Sequence, residues 1–197
     1  MEKYLILVDN DREELNKLMD LISHSASANK INVIDIFVEK YDENSLQHTI
    51  IKKVKDLIKT TSNGYFHIII DACLTEEEHE ISGLCSRDYL SGLECASSIV
   101  PILENCDNSF IISIMSRFFV TQLDSYNAFI NFSKNKNNNF YAVIRKPILD
   151  TGDVDTGLSP IPQYTDKLPE KYLSRKYSTA FKNIVLYSLL EDKTDEI

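Results

Sequence analysis

Acidic and basic side chains stand at the C-terminal tips of separate aliphatic runs in this chain. Asp9 and Asp11, with Asn10 between them, follow Tyr4-Leu5-Ile6-Leu7-Val8. Asp71 follows Phe66-His67-Ile68-Ile69-Ile70, and Lys146-Pro147 comes just after Phe140-Tyr141-Ala142-Val143-Ile144. In a parallel α/β sheet such tips converge on one crevice, where these sheets bind ligands and do chemistry. Carboxylates gathered there repel one another unless a hard cation sits between them, and a lysine beside them adds a fixed positive charge for an anion. Carboxylates, a divalent metal and a lysine together suit a phosphoryl group.

The elements that must position these residues alternate between strand and helix, which implies βαβ units and a mainly parallel sheet. A first strand spans residues 3–8. A helix over 11–27 carries Leu15, Leu18, Met19 and Ile22 on one face. The β-branched segment 31–38 reads as a second strand. A helix over 45–59 follows, with Ile50, Val54, Leu57 and Ile58 as its buried stripe. Asn63-Gly64 is a turn signal before the third strand, 65–70. Helix 91–106, strand 110–115, helix 120–133, strand 140–144 and a last helix over 168–190 complete the pattern. Between them lie an acidic stretch at 72–90, an Asn-rich stretch at 134–139 and a Pro-containing arm at about 150–168, all expected as loops. There is no internal repeat, so residues 1–197 read as a single domain with insertions at 72–90 and 150–168.

Composition narrows the function. With 43% hydrophobic and 26% charged residues in 197, the chain can bury a real core. A formal net charge of −9 argues against direct nucleic-acid binding, which needs a basic face. No stretch has the length of a membrane span and the first apolar run has no basic leader, so a cytoplasmic protein is expected, with no membrane partner. Four cysteines without a CxxC pair are expected to be reduced and mostly structural. Cys73, His79 and Cys85 are too widely spaced, and lack a fourth ligand, for a zinc site. None of the five glycines lies in the turn after the first strand, which excludes a dinucleotide-binding fingerprint or a phosphate-binding P-loop.

Taken in order, these motifs resemble the receiver domain of two-component response regulators. The carriers are Leu5-Ile6-Leu7-Val8-Asp9-Asn10-Asp11, then Ile68-Ile69-Ile70-Asp71, then Gly92-Leu93-Glu94 at a helix start. Ser116, ending Ile111-Ile112-Ser113-Ile114-Met115-Ser116, and Lys146-Pro147 complete the set. The resemblance implies an α/β fold: a doubly wound, five-stranded parallel sheet in the order 2-1-3-4-5 with helices on both faces. It implies that Asp71 is the nucleophile, taking a phosphoryl group from a histidine kinase or phosphotransfer protein. It implies Mg²⁺ held by Asp9, Asp71 and the Cys73 carbonyl, with Asn10 and Asp11 as further candidate ligands. Lys146 pairs with the phosphoryl oxygens, and the Ser116 hydroxyl donates a hydrogen bond, Ser113 being the alternative register. A downstream protein partner then reads the state, since no DNA-binding output domain follows. Such a chain is a phospho-acceptor rather than a turnover enzyme.

Three departures stand out. Asn10 replaces a second metal-binding acid, Val143 stands where the family's switch aromatic is expected, and both inserted segments flank the crevice. They favour an alternative, a receiver-like module that has lost phosphorylation and works by protein contact. A further alternative reads Asp9-Asn10-Asp11 as the motif of a haloacid-dehalogenase-type phosphatase, with Asp9 as nucleophile and Asp11 as general acid/base. That reading leaves Asp71 without a role and lacks the hydroxyl residue expected near Arg12-Glu13-Glu14. As the bland reading, Asp11 is a helix N-cap.

Overall fold

The computed structural model describes residues 1–38, 43–72, 74, 91–104, 106–116, 140–146 and 177–190. The expected helix at 120–133, the loops at 134–139 and 150–168, most of 72–90 and the first part of the last helix lie outside them.

The described elements are β1 (Glu2–Asp9), α1 (Arg12–Ala28), β2 (Ile31–Phe37), α2 (Glu43–Thr60) and β3 (Gly64–Asp71). Then come α3 (Ser91–Leu103), β4 (Ser109–Ser116), β5 (Phe140–Arg145) and α4 (Tyr177–Leu190). The fold is α/β, with a parallel sheet running β2-β1-β3-β4. At its β4 edge β5 pairs in parallel over a shorter register, with an irregularity between Ile112 and Ser113. Parallel neighbours need a crossover, and the helices supply it.

Both faces of the sheet are covered, which is why the strands read as unbroken aliphatic runs. Even-numbered residues Ile6, Val8, Ile68, Ile70, Ile112 and Ile114 form one core with the buried stripes of α2 and α3. Odd-numbered Leu5, Leu7, Ile69, Ile111 and Met115 form the other with Leu15, Leu18 and Ile22 of α1 and Phe181, Ile184, Val185 and Leu189 of α4. Phe181, Ile184, Val185 and Leu189 of the last helix are thus buried against the sheet. No helix among the described residues is long and apolar enough to cross a membrane.

Both ends of β3 are fixed by specific contacts. At its start, Asn108 accepts from the Gly64 N–H at 2.7 Å and donates to the Ile58 and Thr61 carbonyls at 3.1 and 2.9 Å. At its tip, the Ala72 N–H donates to the Met115 carbonyl at 2.7 Å, and the Gly92 N–H to the Ala72 carbonyl at 3.0 Å. A Cβ on residue 92 would lie 1.9 Å from the Asp71 carbonyl oxygen, so only glycine lets α3 start this close to the strand.

Candidate functional site

Asp9 and Asp71 continue the odd-numbered series of their strands, so each turns toward the α1/α4 face just as the sheet ends. Asp71 is the last residue of β3, one step further than the sequence pattern placed the strand end. Both are buried, and so is Lys146, which follows the last residue of β5. The lysine Nζ lies 2.6 Å from Asp9 Oδ2 and 3.6 Å from Asp71 Oδ1. Asp9 Oδ1 in turn accepts from the Asp11 N–H at 2.9 Å. Three residues singled out in separate parts of the sequence thus meet in one crevice.

Lys146 keeps its proton there. Burial pushes its pKa down, but the charges of Asp71 and Asp9, the hydrogen bond to Asp9 and the charge of Glu14 outweigh that and raise it above 10.5. A buried ammonium is tolerable only with such partners.

Asp11 is the N-cap of α1: its Oδ1 accepts from the Glu13 and Glu14 N–H groups, each at 3.0 Å. Its place beside the crevice is thereby tied to the helix start. The Asn10 Oδ1 is buried and has no hydrogen-bond partner among the described residues. A buried amide oxygen in that condition asks for a donor or a cation. Among the described residues no group of three or more His, Cys, Asp and Glu side chains forms a ready metal cage. Mg²⁺ does not require one, because it keeps several waters and is held by one or two carboxylates. Asp9, Asp71 and the Asn10 oxygen fit that pattern of hard oxygen donors.

Ser116 ends β4, paired with Arg145, and its side chain lies outside the described residues, as does Cys73. Val143 pairs with Ile114 along the strands. Ser113, the alternative register for the hydroxyl, sits deeper in the sheet and is engaged elsewhere, 2.7 Å from His67 Nε2.

That histidine is one of two features the sequence reading missed. His67 is fully buried in mid-strand, with Nδ1 2.6 Å from Ser188 Oγ of α4 and its ring edge-on to Tyr141 at 5.5 Å. Ser188 gives its own proton to the Val185 carbonyl at 2.8 Å, so toward His67 it can only accept. Hydrogen-bond accounting therefore places the proton of a neutral His67 on Nδ1, with Nε2 accepting from Ser113. The available signal was a polar residue interrupting each of two aliphatic strands, Phe66-His67-Ile68 and Ile112-Ser113-Ile114. The second missed feature is Glu14, a carboxylate on the otherwise apolar buried face of α1. It reads from sequence as an ordinary first-turn acid.

No family model matches the chain, and neither a curated protein nor a solved structure is found to be similar to it.

Proposed function

We propose that this chain is a receiver-type phospho-acceptor, with Asp71 taking a phosphoryl group from a histidine kinase or phosphotransfer protein in a Mg²⁺-dependent step. The reading takes β5 as the fifth strand of a complete doubly wound sheet in the order 2-1-3-4-5. One observation carries it: among the described residues, two buried carboxylates, Asp9 and Asp71, converge on the buried Lys146 ammonium at the strand tips. A structural ion pair needs one acid for one base. A second buried carboxylate brought to the same ammonium adds a desolvation cost that a cation at the site would offset.

The chemistry follows from those positions. A carboxylate oxygen of Asp71 attacks phosphorus, the P–N bond of the phosphohistidine breaks, and the imidazole leaves. Lys146, already charged, offsets the phosphoryl oxygens as they arrive. Asp9 holds Lys146 in place and, with Asn10, offers oxygen donors to a metal. Mg²⁺, when bound, neutralises the repulsion between the carboxylate and the phosphoryl anion. The product state is read by a downstream protein partner.

Against the phosphatase alternative stand both of its residues. Asp9 is ion-paired with Lys146 and accepts from the Asp11 N–H, which lowers its nucleophilicity while leaving lone pairs for a cation, and Asp11 caps α1. Neither is poised as a nucleophile or a general acid.

The test is incorporation of label from acetyl phosphate with and without Mg²⁺. Wild type is expected to label only with the metal, and Asp71→Asn to fold normally and not label. Label that persists in Asp71→Asn moves the nucleophile to another residue. A wild-type chain that never labels, though folded, returns the protein to the non-phosphorylated interaction module.

A further inference from the structure

α2 and α3 pack side by side over the even-numbered face of the sheet, where each buries an apolar stripe. Where they meet, a groove of about 620 Å³ opens to solvent, lined by Ile51, Lys52, Lys55, Asp56 and Lys59 of α2 and Ile102 of α3. Ile51 and Ile102 are half-buried and make its apolar part, and the three lysines beside them are exposed. Lys52, Lys55 and Lys59 follow one another at steps of three and four residues, so they share one side of α2 over about 10 Å. Like charges at these spacings weaken an isolated helix. The helix dipole accounts for Lys59, in the last turn, but not for Lys52 or Lys55. Among the described residues none of the three forms an ion pair, with Asp56 or any other acid, whereas Lys17 of α1 meets Glu13 at 2.9 Å. Residues 52–59 thus gather Lys52, Lys53, Lys55 and Lys59 against Asp56 in a chain whose net charge is −9. Solvated charge runs are common on helices, but this one borders an apolar floor that the fold leaves partly open.

We propose that this groove docks an acidic amphipathic helix of a partner protein, with apolar residues against Ile51 and Ile102 and carboxylates toward Lys52, Lys55 and Lys59. A helix whose acids recur at three and four residues matches the lysine spacing turn for turn, and helix-in-groove recognition reads such repeats. Charge decides the occupant. A basic helix would be repelled, and a neutral one would leave the lysines unanswered. A long polyanion or an anionic lipid surface would also meet the field of a chain with net charge −9, whereas one short helix meets the local patch. The groove lies on the opposite face of the sheet from the one toward which Asp71 turns, so docking there is separate from phosphoryl transfer.

The probe is a stapled, fluorescein-labelled helical peptide with Glu at i, i+3 and i+7 and Leu on the adjoining face, titrated against the full chain and read by anisotropy. Wild type is expected to bind it saturably and more weakly as salt is raised. The triple variant Lys52→Gln/Lys55→Gln/Lys59→Gln should bind about tenfold more weakly, because three exposed ion pairs each contribute modestly. Its melting temperature should hold, since all three side chains are exposed. Lys52→Glu/Lys55→Glu/Lys59→Glu should instead prefer the peptide carrying Lys in place of Glu, an exchange that a purely structural role does not produce. A peptide with Ser in place of Leu should lose most of the binding. Equal binding of that peptide shows unspecific charge attraction and overturns the proposal, as does binding unchanged in the glutamine variant or absent from wild type. Tighter binding of a single-stranded oligonucleotide or of phosphatidylserine vesicles, lost in the glutamine variant, assigns the patch to phosphate groups and overturns it. Self-association of the free chain that the same variant abolishes gives the groove to a second copy, and this too overturns it.

Discussion

Two buried polar clusters share one face of this sheet, about 13 Å apart along β3, the span of four strand residues. In mid-sheet, Ser113, His67 and Ser188 are neutral groups in a chain of hydrogen bonds that ends on the Val185 carbonyl. At the tips, Asp9 and Asp71 converge on the Lys146 ammonium, and the Oδ1 of the adjoining Asn10 has no hydrogen-bond partner among the described residues. Both clusters are desolvated to a similar degree. The difference is closure: a polar cluster that ends on a backbone carbonyl is architecture, and one that gathers ionic groups beside an orphaned oxygen is the better candidate for a site. The mid-sheet chain ties α4 to the sheet, and the tips are where the proposed phosphoryl chemistry would take place.

The strongest way to break this contrast is to remove the Lys146 ammonium. Lys146→Ala removes the ammonium that Asp9 and Asp71 converge on, which is expected to cost about 3–5 kcal/mol. Mg²⁺ should recover part of that loss, because it replaces the missing positive charge. Urea denaturation with and without the metal measures both effects. A variant as stable as wild type in the absence of metal would show that the tip charges are better solvated than their burial implies.

His67→Leu is the matching experiment on the neutral cluster. It orphans the Ser113 hydroxyl and removes the donor to Ser188, at a cost of about 1–3 kcal/mol. Here Mg²⁺ should make no difference to the size of the loss, which is what separates the clusters. The imidazole nitrogen shifts of the wild-type protein provide a direct check on the assigned tautomer, and a proton on Nε2 would contradict it.

Near neutrality pH is the gentlest lever, and its effect should grow only on the alkaline side. Burial raises Tyr65 from 10.0 to about 12, and burial with the Glu94 charge raises Cys95 from 9.0 to about 12. In the unfolded chain these groups ionise near 9.0 and 10.0, while folding keeps them protonated to about 12. Lys146 likewise holds its proton beyond 10.5 only when folded. In every case the unfolded state binds fewer protons across the window, so stability falls as pH rises above about 9. Urea midpoints at pH 7, 9 and 10.5 should therefore be level and then drop. Midpoints that stay level to pH 11 would mean these groups are not buried as described.

What the sequence disclosed, and what it concealed, follows the same division. The strands were legible because a sheet buried on both faces demands aliphatic runs, and Leu5 to Val8 and Ile68 to Ile70 are such runs. Asp9, Asp71 and Lys146 were legible because a charge directly after such a run has few structural uses. The Ser113–His67–Ser188 chain was not, since its partners lie 46 and 121 residues from His67 and meet only through register and helix docking. Glu14 was concealed for a related reason. Its neighbours Glu13 and Arg12 are ordinary exposed residues, and only the rotation of α1 against the sheet distinguishes Glu14 from them. Element ends moved by a residue or two where a cap, such as Asp11, or a tip residue, such as Asp71, belongs to both sides of a boundary.

The contact between the tip of β3 and the start of α3 has a consequence in polymer terms. The Leu74 N–H donates to the Ser91 Oγ at 2.8 Å, and glycine at 92 lets the helix abut the Asp71 carbonyl. The chain thus leaves the described core at Leu74 and returns beside it at Ser91, so the two ends of the intervening stretch are already held together. The entropy of such a loop grows only with the logarithm of its length, and doubling it adds about 0.6 kcal/mol. Length at this port is therefore nearly independent of folding. The chain can exchange or extend the stretch between Leu74 and Ser91 without renegotiating the geometry of Asp71.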